Sequence, residues 1–315
     1  MRPSRRPITA FALAAALTAP LTACGDNATP QLAAAGDGKL AVVATTTQVA
    51  DFARNIGGDK VTVTQILKPN IDPHEYEPTP ADITAIGAAK VVVKSGLGLE
   101  KWLDETISAA GFKGTTVDAS TGVKIRQGNG DEEQQDGDPH IWHNPRNAKI
   151  MVQNIGKAFA AADPADAAAY EKNLADYSAK LDKLDADIQA KIDKLPPDGR
   201  KLVTNHDAFG YYIDRYQLEF IGSIIPSFDT SAELSAKDID DIVAKIKKTG
   251  TKAVLSESSL PPKTAEAIAR QAGVQVVAGE DALYGDTLGP QGSAGDTYLK
   301  MEEHNTDVIV RALGG

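Results

Sequence analysis

From Leu40 onward, the sequence alternates short apolar runs with amphipathic segments, and this pattern occurs twice. The strands that it predicts in the first half are LAVVATT (40–46), VTVTQIL (61–67), KVVVKSG (90–96) and TTVDAS (115–120). Those predicted in the second half are KLVTNH (201–206), LEFIGSI (218–224), KAVLSES (252–258) and VQVVAGE (274–280). Strands that alternate with helices favour parallel sheets. The chain is therefore predicted to be an α/β protein with two lobes, each built on a mainly parallel four-stranded sheet.

The segments between these strands have the composition of helices. In the first half they span residues 48–56, 80–89 and 99–110. The two halves also share a local order, because TPADITAIGAAKVVVKSG and SAKDIDDIVAKIKKTGTKAVLSES each run from an acidic first turn through a helix into a strand. Repetition of one such unit indicates that the two lobes are related.

A long amphipathic helix is predicted between the two halves. Asp163 can cap it, Pro164 suits its first position, and about 30 residues ending near Leu195 would measure roughly 45 Å. Its apolar residues follow helical spacing: Tyr170, Leu174, Tyr177, Leu181, Leu184, Ile188 and Ile192. This helix is either a rigid spine packed on both lobes of a monomer, which we expect, or the seam of a coiled-coil dimer.

The N-terminus has the features of a bacterial secretory signal. Residues 1–23 carry three arginines followed by an apolar stretch that Pro20 interrupts, and this stretch is short for a transmembrane helix. Cys24 is the only cysteine, and LTAC followed by Gly25 resembles a lipobox, in which the cysteine is lipidated and becomes the new N-terminus. The alternative is an incidental thiol beside an ordinary signal-peptidase site.

Composition limits the other functions that the chain can have. It holds 43 acidic and 33 basic residues, and three of the basic residues belong to the signal, so nucleic acid is not an expected partner. With one cysteine, stability must come from the core rather than from internal disulfides. The predicted organisation is a lipoprotein signal peptide (1–23), a flexible tether (24–39), a first lobe (40–145), linking helices with the spine (146–199) and a second lobe (200–315).

Side chains that can bind metal occur in four loops, most of which follow predicted strands. The loops are NIDPHEYEPTP (70–80), GDPHIWHNP (137–145), TNHDAFGYY (204–212) and LYGDTLGPQGSAGDTY (284–298). Parallel sheets expose their functional edge at the carboxyl ends of the strands. One imidazole from each of three loops and one carboxylate from the fourth would form a four-coordinate site of the kind that zinc prefers.

These four motifs and their order resemble the metal-binding solute-binding proteins of ABC importers, the zinc and manganese lipoprotein receptors. The resemblance covers essentially all of the mature chain, beginning with VVATTTQVADFARNIGGDKV and ending with YGDTLGPQGSAGDTYLKMEEHN. Carried over position by position, it implies four metal ligands: His74, His140, His206 and Asp286. It also implies two α/β lobes joined by one long helix, with only modest motion between them.

The function implied by this resemblance is extracytoplasmic capture of one metal ion and its delivery to an ABC permease in the bacterial membrane. Histidine at position 206 favours zinc, because imidazole nitrogen suits zinc better than the harder manganese; manganese is the alternative. A metallochaperone that loads the site is a further possible partner. Many zinc-binding members have a histidine-rich loop before the second ligand, whereas residues 126–138 are acidic. We interpret that loop as solvated and disordered, or as a weak collector of cations.

Several neighbouring residues have two interpretations. His143 is expected to be an outer-rim or hydrogen-bonding residue rather than a ligand, because Asn144 and Pro145 predict the start of a helix. Glu257 either hydrogen-bonds a ligand imidazole or caps the turn that follows it. The remaining expectations are that Asp296 caps the terminal helix, that His304 is solvated, and that Trp142 either shields the site or belongs to the core.

Two other classes of function compete with the receptor. A secreted zinc hydrolase would need an open coordination position, and the sequence has no HExxH, GxSxG or Walker motif. An adhesin is compatible with a lipid anchor but does not explain four ligand loops. We therefore predict a receptor that is not an enzyme, and whose metal affinity falls below about pH 6.5 as free imidazole becomes protonated.

Overall fold

A computed structural model describes residues 38–128 and 136–314 of the chain. The predicted signal peptide, Cys24, nearly all of the predicted tether and part of the acidic loop lie outside these residues. Within the described ranges, no helix is both long enough and apolar enough to cross a bilayer.

The first lobe contains a parallel sheet with the strand order β2-β1-β3-β4. Its strands are β1 (Leu40–Ala44), β2 (Val61–Gln65), β3 (Val91–Lys94) and β4 (Thr115–Asp118). Its helices are α1 (Thr47–Gly57), α2 (Pro80–Ala88) and α3 (Leu103–Ala109). Because all four strands are parallel, their carboxyl ends meet at one edge of the sheet.

The second lobe repeats this arrangement with the order β6-β5-β7-β8, again entirely parallel. Its strands are β5 (Lys201–His206), β6 (Glu219–Ile225), β7 (Ala253–Leu255) and β8 (Gln275–Val277). Its helices are α6 (Gly210–Tyr216), α7 (Ala236–Thr249), α8 (Lys263–Ala272) and α9 (Tyr298–Leu313). The prediction of two related α/β lobes with parallel four-stranded sheets is confirmed.

Several strands end earlier than predicted because the residues at their predicted carboxyl ends form turns. Thr45 and Thr46 follow β1, and the Thr46 hydroxyl accepts a hydrogen bond from Val49 N at 3.4 Å as the N-cap of α1. The helix predicted over 99–110 begins only at Leu103. The reason is a buried turn before it, in which the Glu100 carboxylate accepts hydrogen bonds from Ser95 N and Gly96 N.

Two long helices connect the lobes. Asn144 caps α4 (Pro145–Ala162) as predicted, and its side chain accepts a hydrogen bond from Arg146 N. The spine helix, α5 (Ala167–Ile192), has 26 residues and measures about 39 Å. It begins later than predicted because residues 164–166 form a separate 3₁₀ turn, and Asp163 ends α4 instead of capping α5.

The spine packs against both lobes through its apolar seam. Helix α5 contacts α1 of the first lobe and α9 of the second, as well as α4. The seam is buried in one hydrophobic core that also contains Val42 and Val93 of the first sheet and Leu202 and Leu255 of the second. Since this core uses the apolar face of α5 within one chain, the coiled-coil interpretation is wrong. Smaller clusters fill the outer face of each sheet, under α2 and α3 and under α7 and α8.

Candidate metal centre

The structure brings together the four side chains that the resemblance implied as metal ligands. They are contributed by the loop after β2, the loop after β4, the end of β5 and the loop after β8. The Nε2 atom of His140 lies 3.3 Å from Nε2 of His74 and 3.2 Å from Nε2 of His206. All three imidazoles therefore direct the same nitrogen toward one point between the lobes.

The carboxylate of Asp286 completes the cluster from the opposite side. Its oxygens lie 3.2 Å from Nε2 of His140, 3.4 Å from Nε2 of His206 and 3.8 Å from Nε2 of His74. One candidate ligand atom from each of the four residues lies within 4.8 Å of every other. In a tetrahedral zinc site with bonds of about 2.0 to 2.1 Å, neighbouring ligand atoms are about 3.3 Å apart. The observed spacing fits such a site.

Burial of the cluster makes it suitable for a cation. The side chains of His140, His206 and Asp286 are completely buried, and that of His74 is 2% exposed. Among the described residues, neither carboxylate oxygen of Asp286 has a hydrogen-bond donor. A buried carboxylate without a partner is energetically costly, so a cation held between Asp286 and the imidazoles would satisfy both kinds of group.

A carboxylate behind His140 orients its ring. Asp138 is fully buried, and its Oδ1 lies 2.8 Å from Nδ1 of His140 and accepts a hydrogen bond from the His140 backbone N–H. With the Nδ1 hydrogen donated to Asp138, the Nε2 lone pair is available at the centre. The acidic composition of residues 126–138 predicted a solvated loop that includes Asp138. That interpretation is wrong for this end of the loop, which folds beneath the site.

Glu257 has the corresponding role behind His206. Its Oε2 atom lies 2.9 Å from Nδ1 of His206, and its Oε1 accepts a hydrogen bond from His206 N at 3.0 Å. Of the two interpretations of Glu257, the contact with the His206 imidazole is the one that the geometry supports. Gly285 makes this contact possible, because a Cβ atom at that position would overlap the Glu257 carboxylate.

His143 is not at the outer rim, so that part of the prediction is wrong. Residues 141–143 form a 3₁₀ turn that places the His143 ring in the core, stacked on Phe209 with centroids 4.3 Å apart. Its Nε2 lies 2.9 Å from the carbonyl of Gly285, and its Nδ1 lies 2.9 Å from Glu302. His143 is thus a hydrogen-bonding residue outside the four-residue cluster, and it contacts the residue before Asp286.

The other predicted neighbours lie in varied environments. Trp142 is fully buried in the core, 5.4 Å from the His140 ring, and donates a hydrogen bond to Gly285 O, so it both covers the site and packs in the core. Asp296 does not cap α9, because Thr297 does; Asp296 instead pairs with Lys300. His304 is not freely solvated, since its Nε2 is 3.0 Å from the carbonyl of Ala282.

Hydrogen bonds that the sequence did not predict hold the candidate ligand loops across the lobes. Gln48 of α1 donates a hydrogen bond of 2.8 Å to the carbonyl of Asp286, and Thr47 accepts one of 2.8 Å from Leu288 N. On the other side, Asp72 accepts hydrogen bonds from His74 N at 2.9 Å and from the Thr230 hydroxyl at 2.6 Å. Polar side chains beside the motifs are a signal for such contacts, but their partners are distant in sequence.

The environment shifts the proton affinities of the histidines in different directions. Burial lowers the pKa of His74 to about 4. Burial also disfavours a charged His140, but the hydrogen bond to Asp138 and the negative charges of Asp286 and Asp138 outweigh it and raise the pKa of His140 to about 9. The pKa of His206 is raised well above its ordinary value by Asp286 and Glu257, again against the effect of burial. Although burial opposes it, the charges of His206 and His140 hold the pKa of Asp286 well below its usual range.

Comparison with known proteins agrees with this geometry. The family model described as ZnuA, the periplasmic component A of a zinc-uptake complex, matches residues 42–312. This chain belongs to the ZnuA family. The resemblance predicted from the four loops is therefore confirmed.

Similar proteins include receptors named for both metals. The manganese ABC transporter substrate-binding lipoprotein PsaA of Streptococcus mitis is 32% identical, over 89% of this chain and 91% of its own length. The manganese-binding lipoprotein MntA of Bacillus subtilis is 33% identical, over 93% and 95%. The structure of the periplasmic zinc-binding protein TroA of Treponema pallidum is 31% identical and has a TM-score of 0.81, covering 88% of this chain and all of that one. The ZnuA family is one of metal ABC transporter receptors and not of enzymes, as predicted.

The different positions of His140 and His143 lead to a first prediction. His140→Ala should lower the affinity for a divalent metal ion by more than the 10- to 100-fold typical of changes around a metal site. His143→Ala should lower affinity by about tenfold at most, because this ring only supports the Gly285 carbonyl. It should instead reduce the free energy of unfolding by about 1 to 3 kcal/mol, because it leaves buried Glu302 without this hydrogen-bond partner.

Chelator competition measures the two affinities, and urea denaturation measures the two stabilities. Equal losses of affinity in the two variants would contradict the assignment of His140 and not His143 to the metal.

Proposed function

We propose that this protein binds one zinc ion between its lobes through His74, His140, His206 and Asp286 and delivers it to an ABC-type import permease. The observation that carries the proposal is the convergence of three imidazole nitrogens on a fully buried carboxylate. Zinc is the transported substrate and not a resident cofactor. Membership in the ZnuA family supports both the metal and the permease partner.

The donor set supports zinc over manganese. Three nitrogens and one carboxylate at tetrahedral spacing suit zinc, whereas manganese favours oxygen donors and more of them. Manganese is the second candidate, because PsaA and MntA are named for it and cover almost the whole chain. Since affinity order favours zinc over manganese at most sites of this kind, the two candidates can be separated by direct competition.

The same geometry argues against the hydrolase. A catalytic zinc site keeps a position open for water, and here four protein side chains would close the tetrahedron. An adhesin would not require this buried cluster. A receptor that binds and releases an intact ion accounts for all four side chains.

The location of the protein is part of the proposal. Lipid attached to Cys24 would hold the receptor on the outer surface of the bacterial membrane, with residues 24–39 as the tether. The relatives named as lipoproteins support this anchor. A monomer receiving zinc directly or from a metallochaperone is compatible with the two-lobed fold.

Metal binding by the mature chain tests the proposed function. Cys24→Ser keeps the chain free of lipid, and we expect it to bind one zinc ion per chain and to retain zinc in the presence of excess manganese. Asp286→Ala should lose tight binding, whereas the control His304→Ala should keep it because His304 lies outside the cluster. Metal analysis after dialysis and chelator competition provide the measurements.

Two results would contradict the proposal in different ways. A metal content much below one ion per chain would rule out the receptor function. An affinity for manganese equal to or above that for zinc would show that manganese, and not zinc, is the substrate.

The shifted histidines predict the pH dependence of zinc affinity. Zinc needs the Nε2 lone pairs, so below its raised pKa of about 9 His140 must lose a proton before it can bind. Each such proton reduces apparent affinity by up to tenfold per pH unit as pH falls. Zinc affinity should thus keep rising between about pH 6.5 and 9. The loss of affinity on acidification therefore begins at a higher pH than the value of about 6.5 predicted from free imidazole.

Chelator competition over this range measures the slope, and calorimetry in buffers of different ionisation enthalpy measures the protons released. A zinc affinity that is constant above pH 6.5, with no proton release, would show that the carboxylates do not raise these proton affinities.

A further inference from the structure

A single arginine lies behind the metal cluster and reaches both lobes. Arg126 belongs to the loop after β4, and its Nη1 atom lies 3.1 Å from Oδ2 of Asp138 and 3.5 Å from Oδ1 of Asp207. Asp138 bonds to the ring of His140, and Asp207 directly follows His206. One guanidinium therefore joins the carboxylates next to two candidate ligands from different lobes.

The surroundings of Arg126 fix its position. Its backbone N–H donates to the hydroxyl of Tyr211 at 2.9 Å, and that hydroxyl donates to the carbonyl of Asp138 at 2.9 Å. The guanidinium lies 5.6 Å from the centre of the Phe228 ring. Tyr211 and Phe228 are both residues of the second lobe, so Arg126 is a first-lobe side chain embedded in second-lobe contacts.

Gly210 provides the space for this guanidinium. A Cβ atom at position 210 would overlap Nη1, Cζ and Nε of Arg126. Gly210 is the first residue of α6 and is not among the residues with positive φ, so its backbone does not require glycine. The absence of a side chain at 210 is explained by the close approach of Arg126.

We propose that Arg126 is a positioning residue for metal binding: it holds Asp138, and through it the His140 ring, and it ties the first-lobe ligand loop to the second lobe. The inference rests on the proposed metal-binding function. Arg126 does not contact the ion itself and acts only through these carboxylates.

The charges around Arg126 explain why its loss should weaken metal binding. Asp138 is fully buried and Asp207 is largely buried, and the guanidinium of Arg126 lies within 3.5 Å of both carboxylates. Loss of this positive charge would increase the repulsion between them. Like charges at short range in a buried site repel strongly. Relaxation of this repulsion would move Asp138 away from His140 and loosen the contact between the lobes.

Zinc affinity of Arg126→Gln in the Cys24→Ser mature chain tests the proposal. We expect a loss of about 10- to 100-fold in affinity, the size typical of changes to groups that orient metal ligands. We also expect faster release of zinc to a chelator, because one tie between the lobes is removed. Arg126→Lys should recover part of the affinity, since a single ammonium can pair with Asp138 but cannot bridge both carboxylates.

Arg215→Gln is the matched control. Arg215 is similarly buried and also joins elements through a carboxylate, with Nη2 2.7 Å from Asp185 on the spine, but it does not contact the ligand residues or their carboxylate partners. This variant should lose stability while its zinc affinity stays within about twofold of the parent. Thermal unfolding of the metal-free proteins shows whether the two substitutions destabilise the fold to a similar degree.

Gly210→Ala provides a second test that leaves the arginine in place. The added methyl group should displace the guanidinium and weaken zinc binding. In the Arg126→Gln background, the same change should have little further effect, because there is no guanidinium to displace.

The outcomes distinguish the inference from the function on which it rests. If the parent chain binds no zinc, the proposed function fails. If the parent binds zinc but Arg126→Gln matches it within twofold, or Arg215→Gln loses as much affinity, Arg126 has no specific positioning role. Additive effects of Gly210→Ala and Arg126→Gln would likewise overturn the inference.

Discussion

A buried carboxylate facing three imidazole nitrogens is the constraint on which the rest of the structure depends. Asp286 has no hydrogen-bond donor for its oxygens in the described part of the chain, and its neighbours at 3.2 to 3.8 Å are the Nε2 atoms of three histidines. Such an arrangement is costly without a cation or protons to balance it. Contacts elsewhere in the fold must therefore offset the free-energy cost of burying this carboxylate and keep the four loops from the two lobes together.

The two lobes orient the histidines of the cluster in the same way. Each buries a carboxylate behind an imidazole of the cluster, Asp138 behind His140 and Glu257 behind His206, and these contacts direct Nε2 toward the centre. Two glycines of the second lobe make room for these contacts: Gly285 lies beside Glu257, and Gly210 lies beside the arginine that contacts Asp138. The spine shares one hydrophobic core with both sheets, which favours a fixed separation between the lobes over wide hinge motion.

Local signals in the sequence predicted the fold and the four candidate loops, and the family resemblance implied the four clustered residues. Periodicity shows strands and helices, and four histidine- or aspartate-bearing loops lie at sheet edges. What it missed depends on tertiary contacts: Asp138 sits in an acidic run typical of solvated loops, and His143 was assigned to the rim although a 3₁₀ turn buries it. Tyr211, which accepts a hydrogen bond from Arg126 N, is 85 residues away in sequence, so no local pattern reveals this contact.

X-ray absorption at the zinc edge of the zinc-loaded protein tests the central claim most directly. We predict four nitrogen or oxygen ligands at about 2.0 to 2.1 Å, with the outer-shell scattering of three imidazoles. Asp286→Ala should change the light-atom shell and leave the imidazole scattering of His74, His140 and His206. A six-coordinate shell rich in oxygen, or fewer than three imidazoles in the parent protein, would contradict the proposed site.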